Sequence, residues 1–304
     1  MLKLNPVRRF EGNPIITPDM MPFKCYSVFN SGAIMFNGKI LLLLRVETDD
    51  LISNFYVAES TDGINFTISP NSINYPFTEY EEKYSIDRKH RFDLRITEID
   101  GKYYVCHAIW TKFGCTGGIA VTENFVDFQA IGDTSVPTNR NMVIFPEKIN
   151  GLYARLERPA GDMTIMWVSY SPDLIFWGKS EPIDIPHYPW NGVKTGAGAT
   201  PIKTDRGWLL IYHGTSIGCS SENYYLGVAL LDLKNPSKIL AAPSSFILAA
   251  EKEYECIGQS PNVVFTAGAV ETVDGTLNIY YCGADTRMCL AQTTVKELLD
   301  FCEA

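Results

Sequence analysis

Along the chain, short apolar runs alternate with turn residues in a unit that returns five times. Each unit holds an apolar strand, a turn containing glycine and a second apolar strand that ends on a polar residue. A third strand and a surface turn follow. The first copy begins at Gly32 (GAIMFNGKILLLLRVE) and runs into NFYVAESTDGINF; the second begins at Asp93 (DLRITEIDGKYYVCHAIW) and runs into GIAVTENFVDF. The third starts near Asn141 (NMVIFPEKINGLYARLERP), the fourth at Gly196 (GAGATPIKTDRGWLLIYHG) and the fifth near Ala267 (AGAVETVDGTLNIYYCGAD). The turn glycines are Gly38, Gly101, Gly151, Gly207 and Gly275, each beside Asn, Asp or Arg, as a tight hairpin with positive φ requires. They lie 63, 50, 56 and 68 residues apart, a period that suits one four-stranded blade with variable loops.

The pattern therefore predicts an all-β fold, a five-bladed β-propeller formed by residues 1–304 as a single catalytic domain, with the active site at the mouth of the central channel. A β-sandwich is the competing arrangement, but it gives no reason for one unit to recur five times. Residues 10–29, which contain NPIITP, are expected to supply the strand that closes the ring and removes its exposed edges. Only residues 294–301 (TVKELLDF) read as helical.

Composition narrows the function. A chain of 304 residues with 46% hydrophobic and 20% charged residues can bury enough apolar surface to order throughout, ends excepted. A net charge of −9 argues against nucleic acid or an anionic membrane as partner, since those surfaces attract positive patches. Lys3, Arg8 and Arg9 are followed by no apolar stretch, so a secretory signal is not expected and the chain reads as cytoplasmic. The longest aliphatic run, residues 40–44, is too short for a membrane helix, which needs roughly 20 residues. Eight cysteines are scattered without a Cys-x-x-Cys pair and read as reduced thiols.

In a propeller, equivalent strand ends from all blades meet at one mouth, so position within the repeat predicts proximity. Before the first strands stand Asn30 and Ser31, Asp93 and Arg95, Asn139 and Arg140, then Lys194; at the ends of the second strands come Arg45, His107, Arg158, His213 and, slightly later, Asp285. Each alone would pass for a solvated loop residue. Together they gather four arginines, one lysine and two histidines around two strong acids, and that excess in an acidic chain implies an anionic ligand. Arginine suits phosphate because its planar fork donates two parallel hydrogen bonds. Asn30, Asp285, Tyr188 and Trp190 are candidates for holding neutral sugar, with loop packing as the alternative for the two aromatics. No Walker loop, His-Glu-x-x-His or Gly-x-Ser-x-Gly competes, and GAGAT at Gly196 leads into strand where a phosphate loop would lead into helix.

With these residues assembled, VFNSGA, FDLRITEIDGKYYV, NRNMVIFPEKINGLYARLERP, KTGAGATPIKTDRGWLLIYHG and GADT resemble glycoside hydrolase family 130, the β-mannoside phosphorylases, over nearly the whole chain. One departure is Asp93-Leu94-Arg95 where that family usually has Asp-Pro-Arg; acid and arginine both remain. The resemblance implies that Asp93 is the general acid, passing its proton through the 3-hydroxyl of the bound mannosyl unit to the glycosidic oxygen. It implies phosphate binding by Arg140, Arg158, Lys194 and His213, and a mannosyl subsite of Asn30, Ser31, Arg45 and Asp285. Phosphate then attacks with inversion to give α-mannose 1-phosphate, and no metal or organic cofactor is implied. Phosphate is the co-substrate, and a second catalytic carboxylate is unnecessary because it arrives already ionised.

The competing readings are a β-mannosidase using water on the same fold, which would not need phosphate, and a carbohydrate-binding propeller, which would need neither Asp93 nor the basic set. The expected substrates are short β-1,2-linked mannosides, with β-1,4 mannosyl-glucose, mannosyl-N-acetylglucosamine or mannan as alternatives. Residues 71–91, rich in tyrosine and charge, form the loop expected to set that choice, and exposed aromatics there would suit a dimer interface.

Overall fold

The computed structural model describes residues 5–86, 90–133, 135–161, 164–219 and 221–303. Five antiparallel sheets follow one another along the chain, each built around consecutive strands. Their innermost strands are Cys25–Phe36, Arg91–Ile99, Asn139–Ile144, Lys194–Ala197 and Val264–Glu271. The hairpin after the inner strand carries the glycine that marks the repeat. In the first three blades both central residues are left-handed: Asn37 and Gly38, Asp100 and Gly101, Asn150 and Gly151. That pairing matches the twist of a two-residue hairpin and explains the Asn-Gly and Asp-Gly dipeptides.

A second repeated device turns the third strand into the fourth. Asp62, Asn124, Asp173 and Asp232 each accept two backbone N–H groups, from the residues two and three positions further on, through a single side-chain oxygen. Local side-chain acceptors of this kind stand in for a sheet partner where the strand must leave the ladder.

Five large apolar clusters fill the five gaps between neighbouring blades. Leu41, Leu43, Leu94 and Val105 join the first and second; Cys106, Ile119, Met142 and Ile144 the second and third; Val143, Leu156, Trp208 and Leu210 the third and fourth. Leu209, Val228, Leu277 and Ile279 join the fourth and fifth, and Val28, Leu42, Tyr280 and Leu290 close the circle. Each blade is thus apolar on both faces, which is why the strands read as continuous apolar runs rather than strict alternation.

Ring closure comes from a two-residue strand, Arg8–Arg9, which pairs with Arg287–Thr293 as the outer strand of the fifth blade. The expectation of a closing strand within residues 10–29 is corrected by a few residues: that segment adds no outer strand to the fifth blade but ties to it through the backbone of Phe10, Ile15, Ile16 and Val28 and through the Asn13 side chain, which bonds Leu290. The clasp is electrostatic as well as backbone-paired. Arg9 donates to the fully buried Glu255 and to the Ala249 carbonyl.

The C-terminal helix, Val295–Cys302, is present and capped by Thr294, packing Leu298 and Leu299 against the fourth and fifth blades. Two further short helices, Glu79–Tyr84 and Glu253–Cys256, were not expected. The first was legible as a capping box, since Thr78 and Glu81 satisfy each other's backbone N–H groups. No described helix is long and apolar enough to cross a membrane.

Candidate active site

In the first three blades the inner strand skips two residues against one on its neighbour. These are Asn30 and Ser31, Asp93 and Leu94, and Asn141 and Met142. The first of each pair is left-handed, with φ of 47°, 58° and 55°. Asn and Asp tolerate that conformation better than other side-chain-bearing residues, so the bulge selects the chemistry it presents. The second residue of each pair turns into the packed interior, where Ser31, Leu94 and Met142 are all buried.

The three bulges converge. Asn30 Nδ2 donates to Asp93 Oδ1 and Asn141 Nδ2 to Asp93 Oδ2, each at 3.2 Å, so the carboxylate is held between amides from the blades on either side. The side-chain oxygens of Asn30 and Asn141 are themselves buried without a partner. Asp93 faces a cavity of about 420 Å³ at the channel mouth.

On one wall stand Arg140 and Arg158, cross-strand partners in the third blade, with His213 of the fourth. Like charges directly opposite in an antiparallel pair repel. Arg158 is buried and its pKa is pulled down to about 10 by burial, with Arg140 adding repulsion. Neither arginine has a carboxylate within salt-bridge distance among the described residues. Instead Arg158 Nη1 lies 2.8 Å from His213 Nε2. Burial, reinforced by Arg158, Arg95 and Lys194, drives the His213 pKa well below the usual histidine range, so the ring is neutral and Nε2 accepts from the guanidinium. Gly196 permits this approach, since a Cβ there would lie 2.4 Å from the His213 ring.

The opposite wall carries Arg45, Glu47, Gln259 and Asp285. Arg45 lies over the Phe29 ring at 4.3 Å and donates to Ser53 Oγ. Gln259 Nε2 donates to Glu47. Burial raises the Asp285 pKa, a shift that Arg45 opposes and the charge of Asp93 increases; the Cys282 thiol donates to its Oδ1. One wall is therefore a site of concentrated positive charge, and the other a mixed set of donors and acceptors that fits hydroxyls. The Trp110, Phe92, Tyr224 and Phe265 rings line the space between them.

Of the residues picked out from the sequence, Asn30, Arg45, Asp93, Arg140, Arg158, His213 and Asp285 line this cavity together. Ser31 does not: it occupies the core-facing place in the bulge, with its hydroxyl against Met288 Sδ. Lys194 stands just outside, its ammonium 2.5 Å from Glu222 and over the Tyr224 ring, close enough to act on His213 through charge. Arg95 is fully buried below the mouth and binds the carbonyls of Asp93, Ala197 and Gly198, tying the second blade to the fourth across the axis.

His107 is turned outward into a buried chain with Glu81 and Tyr75, and Asn139 donates to Glu157; neither lines the cavity. Tyr188 and Trp190 pack a loop, bonding the Ala242 and Ser244 carbonyls, and are not sugar platforms. Within residues 71–91, Asp87, Arg88 and Lys89 lie outside the described residues, and the rest is pinned to the second blade by Glu81, His107 and Arg91. Asn141, Trp110, Glu47 and Gln259 were missed. Asn141 could have been found, because it occupies the repeat position of Asn30 and Asp93.

Residues 5–304 match the family model described as β-1,4-mannooligosaccharide phosphorylase. A 1,2-β-oligomannan phosphorylase of Thermoanaerobacter is 35% identical over 98% of this chain and 99% of its own length. A β-1,4-mannooligosaccharide phosphorylase of Ruminococcus albus is 33% identical over 96% and 90%. The structure of the Listeria innocua β-1,2-mannobiose phosphorylase in complex with β-1,2-mannobiose superposes with a TM-score of 0.87 at 30% identity, covering 98% of this chain and 99% of that one.

Proposed function

Because the chain belongs to glycoside hydrolase family 130, we propose that it is an inverting phosphorylase that cleaves short β-mannosides, β-1,2-linked ones first, with inorganic phosphate. The observation that carries this reading is the Arg140–Arg158–His213 wall. Two guanidinium groups held opposite each other, without carboxylate partners among the described residues, cost stability until an anion lies between them, and a neutral water offers no such compensation.

The reaction follows from the two walls. The mannosyl unit sits against Asn30, Arg45 and Asp285, with Asp93 beneath it. Asp93 gives up its proton through the 3-hydroxyl to the glycosidic oxygen as the C1–O bond breaks. A phosphate oxygen on Arg140 and Arg158 forms the new bond to C1 from the opposite face, giving α-mannose 1-phosphate and the shortened acceptor. Lys194 contributes charge from behind His213, and Ser31 supports the Asn30 bulge from the core side. No metal or organic cofactor enters this scheme. The charged product would be retained by a membrane, which suits a reaction in the cytoplasm.

Linkage is tested in the synthetic direction. With α-mannose 1-phosphate as donor, mannose should be extended to β-1,2-mannobiose, read by NMR, faster than glucose or N-acetylglucosamine is extended. Exclusive formation of a β-1,4 bond would overturn the linkage while leaving the phosphorylase reading intact.

A further inference from the structure

Trp110 is the penultimate residue of the second strand of the second blade, Lys102–Thr111, is 38% exposed, and presents its ring to the cavity. The Arg140 guanidinium lies over that ring at 4.7 Å from its centre. Arg140 has no salt-bridge carboxylate among the described residues and faces Arg158 across the strand pair, so repulsion pushes it away from the anion site. The indole is the attraction that opposes this push, since an aromatic face draws a guanidinium electrostatically and tryptophan does so best.

The position of Trp110 is itself fixed. The Ile86 N–H donates to the Trp110 carbonyl, the Lys112 N–H donates to Tyr84, and Ser85 bridges Thr111, so the segment after the short helix forms an extra rung beside the tryptophan. That helix is anchored through Glu81, whose carboxylate is fully buried against His107. Phe92 supports the indole at 6.1 Å.

We propose that Trp110 is a positioning residue for the anion: it holds Arg140 in the orientation that binds phosphate, and residues 79–86 hold Trp110. The inference rests on the phosphorylase reading and adds a residue that acts on phosphate without touching it.

The test is titration of inorganic phosphate into wild type, W110F, W110L, R140A, R158A and the double variant W110L/R140A by calorimetry, with KM for phosphate and for β-mannobiose measured in parallel. W110L should weaken phosphate binding about 3- to 10-fold and W110F by less, with the phosphate constant rising by a larger factor than the sugar KM. Adding W110L to R140A should cost little more than R140A alone, because the tryptophan acts through that arginine. W110F retains an aromatic ring of similar shape and keeps the test valid should the leucine variant fold poorly. If W110L raises the sugar KM and leaves phosphate affinity unchanged, or if the double variant shows two independent losses, Trp110 does not position Arg140. Weakened binding in R158A would still support the parent reading in that case. Absence of phosphate binding by wild type would overturn both.

Discussion

Asp93→Asn should leave the propeller folded and lower turnover by at least about two orders of magnitude, since positioned general-acid assistance commonly contributes 10² to 10⁴. The substitution is close to isosteric, and Asn accepts the left-handed backbone of 58° that this position demands. It would set the new amide donor against one of the flanking donors, Asn30 Nδ2 or Asn141 Nδ2. Either neighbour can rotate and offer its oxygen, which has no partner in the native arrangement. The fold therefore has a route to accommodate the change, while the leaving sugar hydroxyl loses its proton source. Circular dichroism and a thermal melt should match wild type as the rate of mannobiose cleavage collapses. A well-folded Asn variant cleaving at near the native rate would mean that Asp93 is not the acid.

Arg158→Ala should raise the phosphate KM by about 10- to 100-fold, the usual cost of one charge-assisted contact, and change the sugar KM far less. The same change should not destabilise the free protein as most buried truncations do. Arg158 is 6% exposed, lies opposite Arg140 and carries a pKa pulled down to about 10, so its charge is held at a cost in the absence of an anion. The melting temperature in phosphate-free buffer should be equal to or above that of wild type. Added phosphate should raise the melting temperature of wild type more than that of the variant, because a ligand that binds only the native state stabilises it by mass action. A variant that loses both stability and sugar affinity while keeping phosphate affinity would place the anion elsewhere.

The architecture was legible because a five-fold repeat leaves a mark at every level. Hairpin glycines and apolar strands recur in register, so an error in one blade is corrected by the other four. The site was legible only in part. Equivalent sequence positions do meet at one mouth, which brought Asn30, Asp93, Arg140, Arg158, His213, Arg45 and Asp285 together. What position does not reveal is which side of the strand a residue faces after a bulge. Ser31 follows Asn30 by one residue and points into the core, as Leu94 and Met142 do after Asp93 and Asn141. His107 occupies the repeat position of a mouth residue, yet Glu81 draws it outward from a helix that only a capping box announced. Arg95 stands before its strand as a mouth residue would, but its guanidinium donates to three backbone carbonyls below the mouth, and these set its direction. Residue type alone leaves Tyr188 and Trp190 open between sugar platform and loop packing; their polar atoms reach loop carbonyls.

The central claim is that an anion, not water, fills the space beside Arg140, Arg158 and His213 when the glycosidic bond breaks. It is tested most directly by incubating the enzyme with β-mannobiose in buffer free of phosphate, then adding phosphate, and following proton and phosphorus NMR spectra throughout. The account predicts an essentially intact disaccharide before addition, and afterwards equal amounts of mannose and a mannose 1-phosphate whose anomeric signal is α. Cleavage at an unchanged rate without phosphate, releasing only free mannose, would contradict it.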